Sequence, residues 1–112
     1  MKLKLKNEKD KEILKEIKRV IVNVAKEMNI EIDKVILFGS RARGDYREDS
    51  DWDILVVTKR KLDKKIKVDL MIKIHKELVK QFLEPFDIVT FGKGDKLDSQ
   101  FIQTILEEGV TI

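Results

Sequence analysis

The chain predicts an α/β fold, a small mixed sheet of about three to four strands packed with helices. Two observations carry that expectation. Short apolar runs that read as strands alternate with longer stretches whose apolar residues recur at helical spacing. The 112 residues contain no repeat and no low-complexity segment, so one domain spanning residues 1–112, with one core, is expected.

The elements follow in order. Residues 9–29 carry Ile13, Ile17, Val20, Ile21, Val24 and Met28 at steps that stay on one helix face, with Asn29 near the end. Val35–Phe38 is fully apolar and reads as a buried strand stopped by Gly39. Ser40 to about Gly44 can form a short helix, and Asp45–Ser50 is a polar loop. Trp52–Thr58 is rich in β-branched residues and reads as a second strand. After the basic loop Lys59–Asp63, a helix over 64–82 places Leu70, Met71, Ile74, Leu78 and Phe82 on one face, and Pro85 closes that region. Phe86–Phe91 is a third strand. The loop Gly92-Lys93-Gly94-Asp95 ends it and lacks phosphate-loop spacing, so it reads as a turn. Ser99 can cap a last helix to about Glu108, with Gly109 as its stop.

Composition excludes several classes. Charged residues make up 40% of the chain, against the ~25% usual in soluble domains. Yet 24 Lys+Arg and 21 Asp+Glu nearly cancel to +3, so this is no uniformly basic nucleic-acid binder, and no direct nucleic-acid partner is expected. Without cysteine there is no disulfide or thiolate zinc site, and His75 alone cannot build a multi-histidine metal site. The start, MKLKLKNEKDKE, has no apolar signal core, and no apolar run approaches the ~20 residues of a membrane span. The chain reads as cytoplasmic, with no membrane partner.

The stretch GSRARGDYREDSDWD, between the first two apolar runs, carries the chemistry. Asp51 and Asp53, two apart at the start of a strand, leave one side of it. Two carboxylates that close repel unless a cation sits between them, and Mg²⁺ prefers such oxygens while keeping positions open for phosphate. Acidic pairs are common in a chain this charged, so the pair alone decides nothing. Gly39 allows close backbone approach, Ser40 adds a hydroxyl, and Arg41 and Arg43 add cations suited to phosphate; the bland alternative is a strand-to-helix turn capped by Ser40 with solvated arginines. Asp87, one step inside an apolar strand, is costly unless paired or metal-bound. Beside Trp52–Thr58 it can join the other two, and three carboxylates can hold two Mg²⁺ ions for an in-line phosphoryl displacement.

Gly39-Ser40, ten residues, then Asp51-Trp52-Asp53 resembles the GSx10DxD signature of the polymerase-β-like nucleotidyltransferase superfamily. The short length, FGSRARG, SDWDILVV, FDIVTF and the ending FIQTILEEGVTI resemble its smallest branch, the minimal nucleotidyltransferases (MNT), from about Asp33 onward. The resemblance implies that Gly39 and Ser40 bind the nucleotide triphosphate, that Asp51 and Asp53 bind two Mg²⁺ ions, and that Asp87 completes the site and helps deprotonate the attacking hydroxyl. Trp52 departs from the usual aliphatic and should pack on the opposite side of the strand. Many members of this branch resemble antitoxins of HEPN/MNT toxin–antitoxin pairs, which transfer AMP from ATP to a tyrosine of a HEPN-type toxin. That implies ATP as substrate and a HEPN-type toxin as partner. So short a chain has no second domain to hold tRNA, an antibiotic or a primer, which agrees with a protein acceptor. Nucleotidyl transfer to RNA or a small molecule, and a vestigial antitoxin acting by binding, stay open as alternatives.

Other features read more plainly. His75 falls off the apolar helix face and is expected in solvent. Tyr46 is a loop aromatic, with self-modification as the sharper alternative. Asp69 and Asp95 are poorer third acids, in a helix and a glycine loop. Lys59-Arg60-Lys61 with Lys64-Lys65 is a basic cluster that could steer ATP or an acidic partner.

Overall fold

The computed structural model describes residues 8–96 and 100–112. The order is α1 (Glu8–Glu27), β1 (Ile32–Phe38), α2 (Gly39–Arg43), β2 (Trp52–Thr58), α3 (Lys64–Phe82), β3 (Phe86–Gly92), α4 (Gln100–Glu108) and β4 (Val110–Thr111). One four-stranded sheet has the order β3-β2-β1-β4. β1 is antiparallel to β2 and to β4, while β2 and β3 are parallel, joined by the α3 crossover. This is the α/β fold with a small mixed sheet that the sequence predicts.

The sheet is covered unequally. On one face Val35, Leu37, Trp52, Ile54, Val56, Phe86 and Ile88 pack with Leu14, Ile17, Val20, Ile21 and Val24 of α1 and with Leu70, Ile74 and Leu78 of α3. On the other face Ile36, Leu55 and Val57 meet Ile105 of the shorter α4. β2 is central and buried on both faces over Ile54–Thr58, which is why it reads as an unbroken apolar run rather than an alternation.

The helix faces expected at α1 and α3 are largely the buried ones, with Leu14 and Ala25 added to α1; Ile13, Met71 and Phe82 are only partly covered, as is Met28, which lies just past the end of α1. α1 ends where Asn29 takes a left-handed φ of 58° and the Ile30 N–H donates to the Ala25 carbonyl at 2.9 Å. β1 starts three residues earlier than its apolar run, because Ile32 and Lys34 pair with Thr58 and Val57 of β2; the register shifts between them, passing over Asp33, and Lys34 is exposed. β4 has no sequence signal; two residues cannot display an alternation. Its approach depends on Gly109, where a Cβ would fall on Ile36 and 2.6 Å from the Ile105 carbonyl. Ser99, the expected cap of α4, lies outside the described residues. Among the described residues no helix is long and apolar enough to cross a membrane.

Candidate active site

The end of β1 and the starts of β2 and β3 meet at one end of the sheet. Phe38 pairs with Asp53, and Asp53 pairs in turn with Asp87. Partners in register share a face, so the Asp53 and Asp87 carboxylates emerge side by side, opposite the core face that takes fully buried Trp52. Asp51 precedes the strand by one residue and is exposed, as is Asp87; Asp53 is half-buried between them. The Trp52 N–H donates to the Pro85 carbonyl at 3.0 Å and locks the two strand starts together.

Asp53 shows what this arrangement costs. Burial first, then the charges of Asp87 and Asp51, push its carboxyl up from 3.8 to about 6, against a smaller downward pull from Arg43. Among the described residues no three acidic or imidazole groups are already drawn together tightly enough to cage an ion. The donor set nevertheless fits a hard divalent cation. The groups are all carboxylates, two of them are open to solvent, and their mutual repulsion is what a cation would relieve.

Gly39 lies against this carboxylate. Its φ is +72°, and a Cβ built there would overlap Asp53 Oδ2. The glycine therefore serves twice: it admits a backbone turn that L-residues resist, and it leaves room for Asp53. Ser40 is half-buried in the first turn of α2, and its hydroxyl has no hydrogen-bond partner among the described residues. The helix N-cap is Phe38, without a side-chain bond, so Ser40 is no cap. So short a helix leaves first-turn amides outside helical bonding. Arg43 is exposed, with Nε 3.4 Å from Asp45 Oδ2 and its charge felt at Asp53.

Arg41 departs from expectation. It is 1% exposed, so it is not available as a free phosphate cation. Its guanidinium donates to the Glu48 carbonyl at 3.1 Å and to the Ser50 carbonyl at 3.0 and 3.2 Å. It lies 4.0 Å from the Trp52 ring centroid and 4.8 Å from that of Tyr46, with Glu84 and Asp10 at 3.8 and 3.9 Å. This side chain holds the loop that delivers Asp51. The loop is also closed on itself, by the Arg47 N–H donating to Ser50 Oγ at 2.8 Å.

Tyr46 is buried, and its hydroxyl donates to Asp10 at 2.9 Å, which removes it as a self-modification site. His75 is exposed, and Asp69 lies on the exposed side of α3. Asp95 serves the distant turn. Burial raises its carboxyl, but hydrogen bonds from Lys67 (2.6 Å) and the Gly92 N–H (2.8 Å) outweigh that and hold it below the usual range. Asp10 and Glu84, the anions around Arg41, escape sequence reasoning. They stand more than thirty residues from it, and no periodicity links positions that meet only in the folded chain.

A glycine-serine turn after one strand, two acids at the start of the next and a third on its parallel neighbour thus meet at one end of the sheet. The family described as Polymerase beta, Nucleotidyltransferase matches residues 15–112, and the chain belongs to it. Two proposed protein adenylyltransferases of Methanocaldococcus jannaschii are similar. One is 40% identical over 81 residues, covering 70% of this chain and 75% of that protein. The other is 52% identical over 48 residues, covering 43% of this chain and 46% of that protein, so the matched stretch spans about half of its length. Among solved structures, a proposed minimal nucleotidyltransferase shares the fold at 24% identity and TM-score 0.62, over 90% of this chain and 94% of that one. A chain of a toxin–antitoxin crystal structure with AMP-PNP aligns at 21% identity and TM-score 0.54, over 83% and 69% of the two chains. A chain of the MntA–HepT toxin–antitoxin structure aligns at 18% and 0.51, over 87% and 69%. At these identities the structural likeness bears on the fold.

Proposed function

We propose that this chain is a single-domain minimal nucleotidyltransferase that works in the cytoplasm as a protein adenylyltransferase. It moves AMP from ATP to a tyrosine hydroxyl of a HEPN-type toxin and so acts as the antitoxin of a pair. The observation that carries the reading is Asp53, half-buried between Asp51 and Asp87 and backed by Gly39-Ser40, at an open end of the sheet. The names of the M. jannaschii relatives and the fold shared with toxin–antitoxin chains support the acceptor class.

Each residue has a physical task. Gly39 lets the α2 turn approach a triphosphate closely, the Ser40 hydroxyl donates to a phosphate oxygen, and Arg43 adds a cation at the rim. Asp51, Asp53 and Asp87 would hold two Mg²⁺ ions, which supply charge neutralisation at the phosphates and align attacking and leaving oxygens. The acceptor oxygen forms a bond to the α-phosphorus as the bond from that phosphorus to the bridging oxygen breaks. Diphosphate leaves with the electron pair, and the hydroxyl proton passes to the Asp87 carboxylate. Asp51 and Asp87 are exposed, so a large acceptor can reach them and supply its own positioning by docking.

Labelled ATP, Mg²⁺, the chain and a HEPN-type toxin, followed by peptide mapping, test the reading. A gain of whole AMP units on a toxin tyrosine, lost with Asp53→Asn, is expected. Efficient labelling of tRNA or an aminoglycoside with the toxin untouched would replace it with transfer to RNA or a small molecule.

A further inference from the structure

The two edges of the sheet differ. On one side β4 is only two residues long. On the other, among the described residues, β3 is a seven-residue edge, Phe86–Gly92, paired with β2 in continuous register without a bulge. Its only charged residue is Asp87, and it contains neither lysine nor proline. Proteins blunt such edges with charges, prolines, bulges or short strands, and an unblunted one is a template for another strand.

A groove of about 660 Å³ runs along this edge. Its floor is Phe86 and Ile88 from β3 with Met71, Ile72 and Val79 from α3, and Asp87 stands on its rim. Ile72 is 53% exposed there, more than Ile66 and Val68, the other exposed β-branched apolar residues of α3. Lys76 and Lys80 flank the groove, and neither has an anionic partner among the described residues.

We propose that the open edge of β3 is the acceptor-docking surface: an extended, acidic segment of the partner protein adds there as a fifth strand and brings its hydroxyl residue to Asp87. Backbone pairing along β3 supplies affinity, alternate apolar side chains of the segment enter the groove over Ile72, and its acidic residues meet Lys76 and Lys80. The inference rests on the adenylyltransferase reading for its purpose, but the surface can be tested without catalysis.

The probe is a series of synthetic peptides with a central tyrosine, alternating valines or isoleucines, and either glutamate or glutamine at the remaining positions. They are added without nucleotide to the ¹⁵N-labelled chain. The expected result is movement and slowed hydrogen exchange of β3 amides, with the glutamate peptides binding about tenfold tighter than the glutamine ones at low salt. Ile72→Glu, a surface change outside the carboxylate cluster, should remove the effect and leave the apo spectrum folded. Shifts confined to other surfaces, binding that survives Ile72→Glu, failure of every peptide at millimolar concentration, or a β3-to-β3 dimer of the chain alone would each overturn the proposal. If β3 captures the peptides while no protein becomes labelled by ATP, the adenylyltransferase reading fails and the docking surface stands.

Discussion

Asp53 and Asp87 stand directly opposite each other on adjacent parallel strands, with both carboxylates on the sheet face away from the α1–α3 core. Folding brings these charges together at a cost, and Asp53, raised to about 6 by burial and by Asp87 and Asp51, registers it. A raised carboxyl means that the folded chain binds this proton more tightly than the unfolded chain. The associated stability is complete below 3.8 and is lost as pH rises through about 6.

Without divalent metal, Asp53→Asn should therefore be more stable than the parent at neutral pH. The gain should be on the order of 1 kcal/mol after allowance for solvent screening, and it should vanish at acid pH. Denaturant unfolding in chelator across the acid-to-neutral range checks this. Mg²⁺ should raise the parent's melting temperature and leave the variant's unchanged. Equal pH dependence in the two proteins would refute the repulsion argument.

Gly39→Ala should destabilise by about 1–2 kcal/mol for the left-handed backbone alone, and further through the overlap with Asp53. The double variant Gly39→Ala with Asp53→Ala removes the overlap but not the backbone strain. Double-mutant unfolding should show a coupling on the order of 1 kcal/mol between the two sites. Strict additivity would mean that Gly39 answers only to its φ.

Arg41→Ala should cost about 3 kcal/mol or more, because it leaves Asp10 and Glu84 without their shared cation and the Glu48 and Ser50 carbonyls without donors. Arg41→Lys keeps the charge but not the fork that reaches two carbonyls. Amide exchange should quicken over 46–51 in this variant. A loss of ATP affinity with loop protection intact would return Arg41 to phosphate binding.

Leu83 ends α3 with a left-handed φ of 54°, donates its N–H to the Val79 carbonyl at 2.9 Å and is 85% exposed. Glycine takes this conformation without penalty, and little leucine packing is lost. Leu83→Gly is expected to stabilise the chain by about 0.5–1 kcal/mol in thermal or denaturant unfolding. A loss of stability would show that Leu83 packs in solution as it does not here.

The sequence makes the central part of this fold readable because its physics is local. β2 and α3 keep the bounds that their apolar patterns mark, and Gly39-Ser40 and the aspartate pair are visible as spacing. Asp87 is visible as a charge in an apolar strand, but its pairing with Asp53 needs the parallel register that only the α3 crossover creates. Arg41 shows the limit of the approach. An arginine beside a glycine-serine turn looks like a phosphate ligand until Asp10, Glu84 and the rings of Tyr46 and Trp52 close around it. β4 was illegible because its two residues are recruited by β1 rather than by their own pattern.

The most direct test of the carboxylate site is Mn²⁺ titration of the ¹⁵N-labelled chain with a non-hydrolysable ATP analogue. Paramagnetic broadening should appear first at the amides of Gly39, Ser40, Asp51, Asp53 and Asp87, and it should saturate at two ions per chain, as a two-metal transfer site requires. Asp53→Asn should lose it. Broadening that starts elsewhere, for instance at Asp95, or that persists undiminished in Asp53→Asn, would contradict the account.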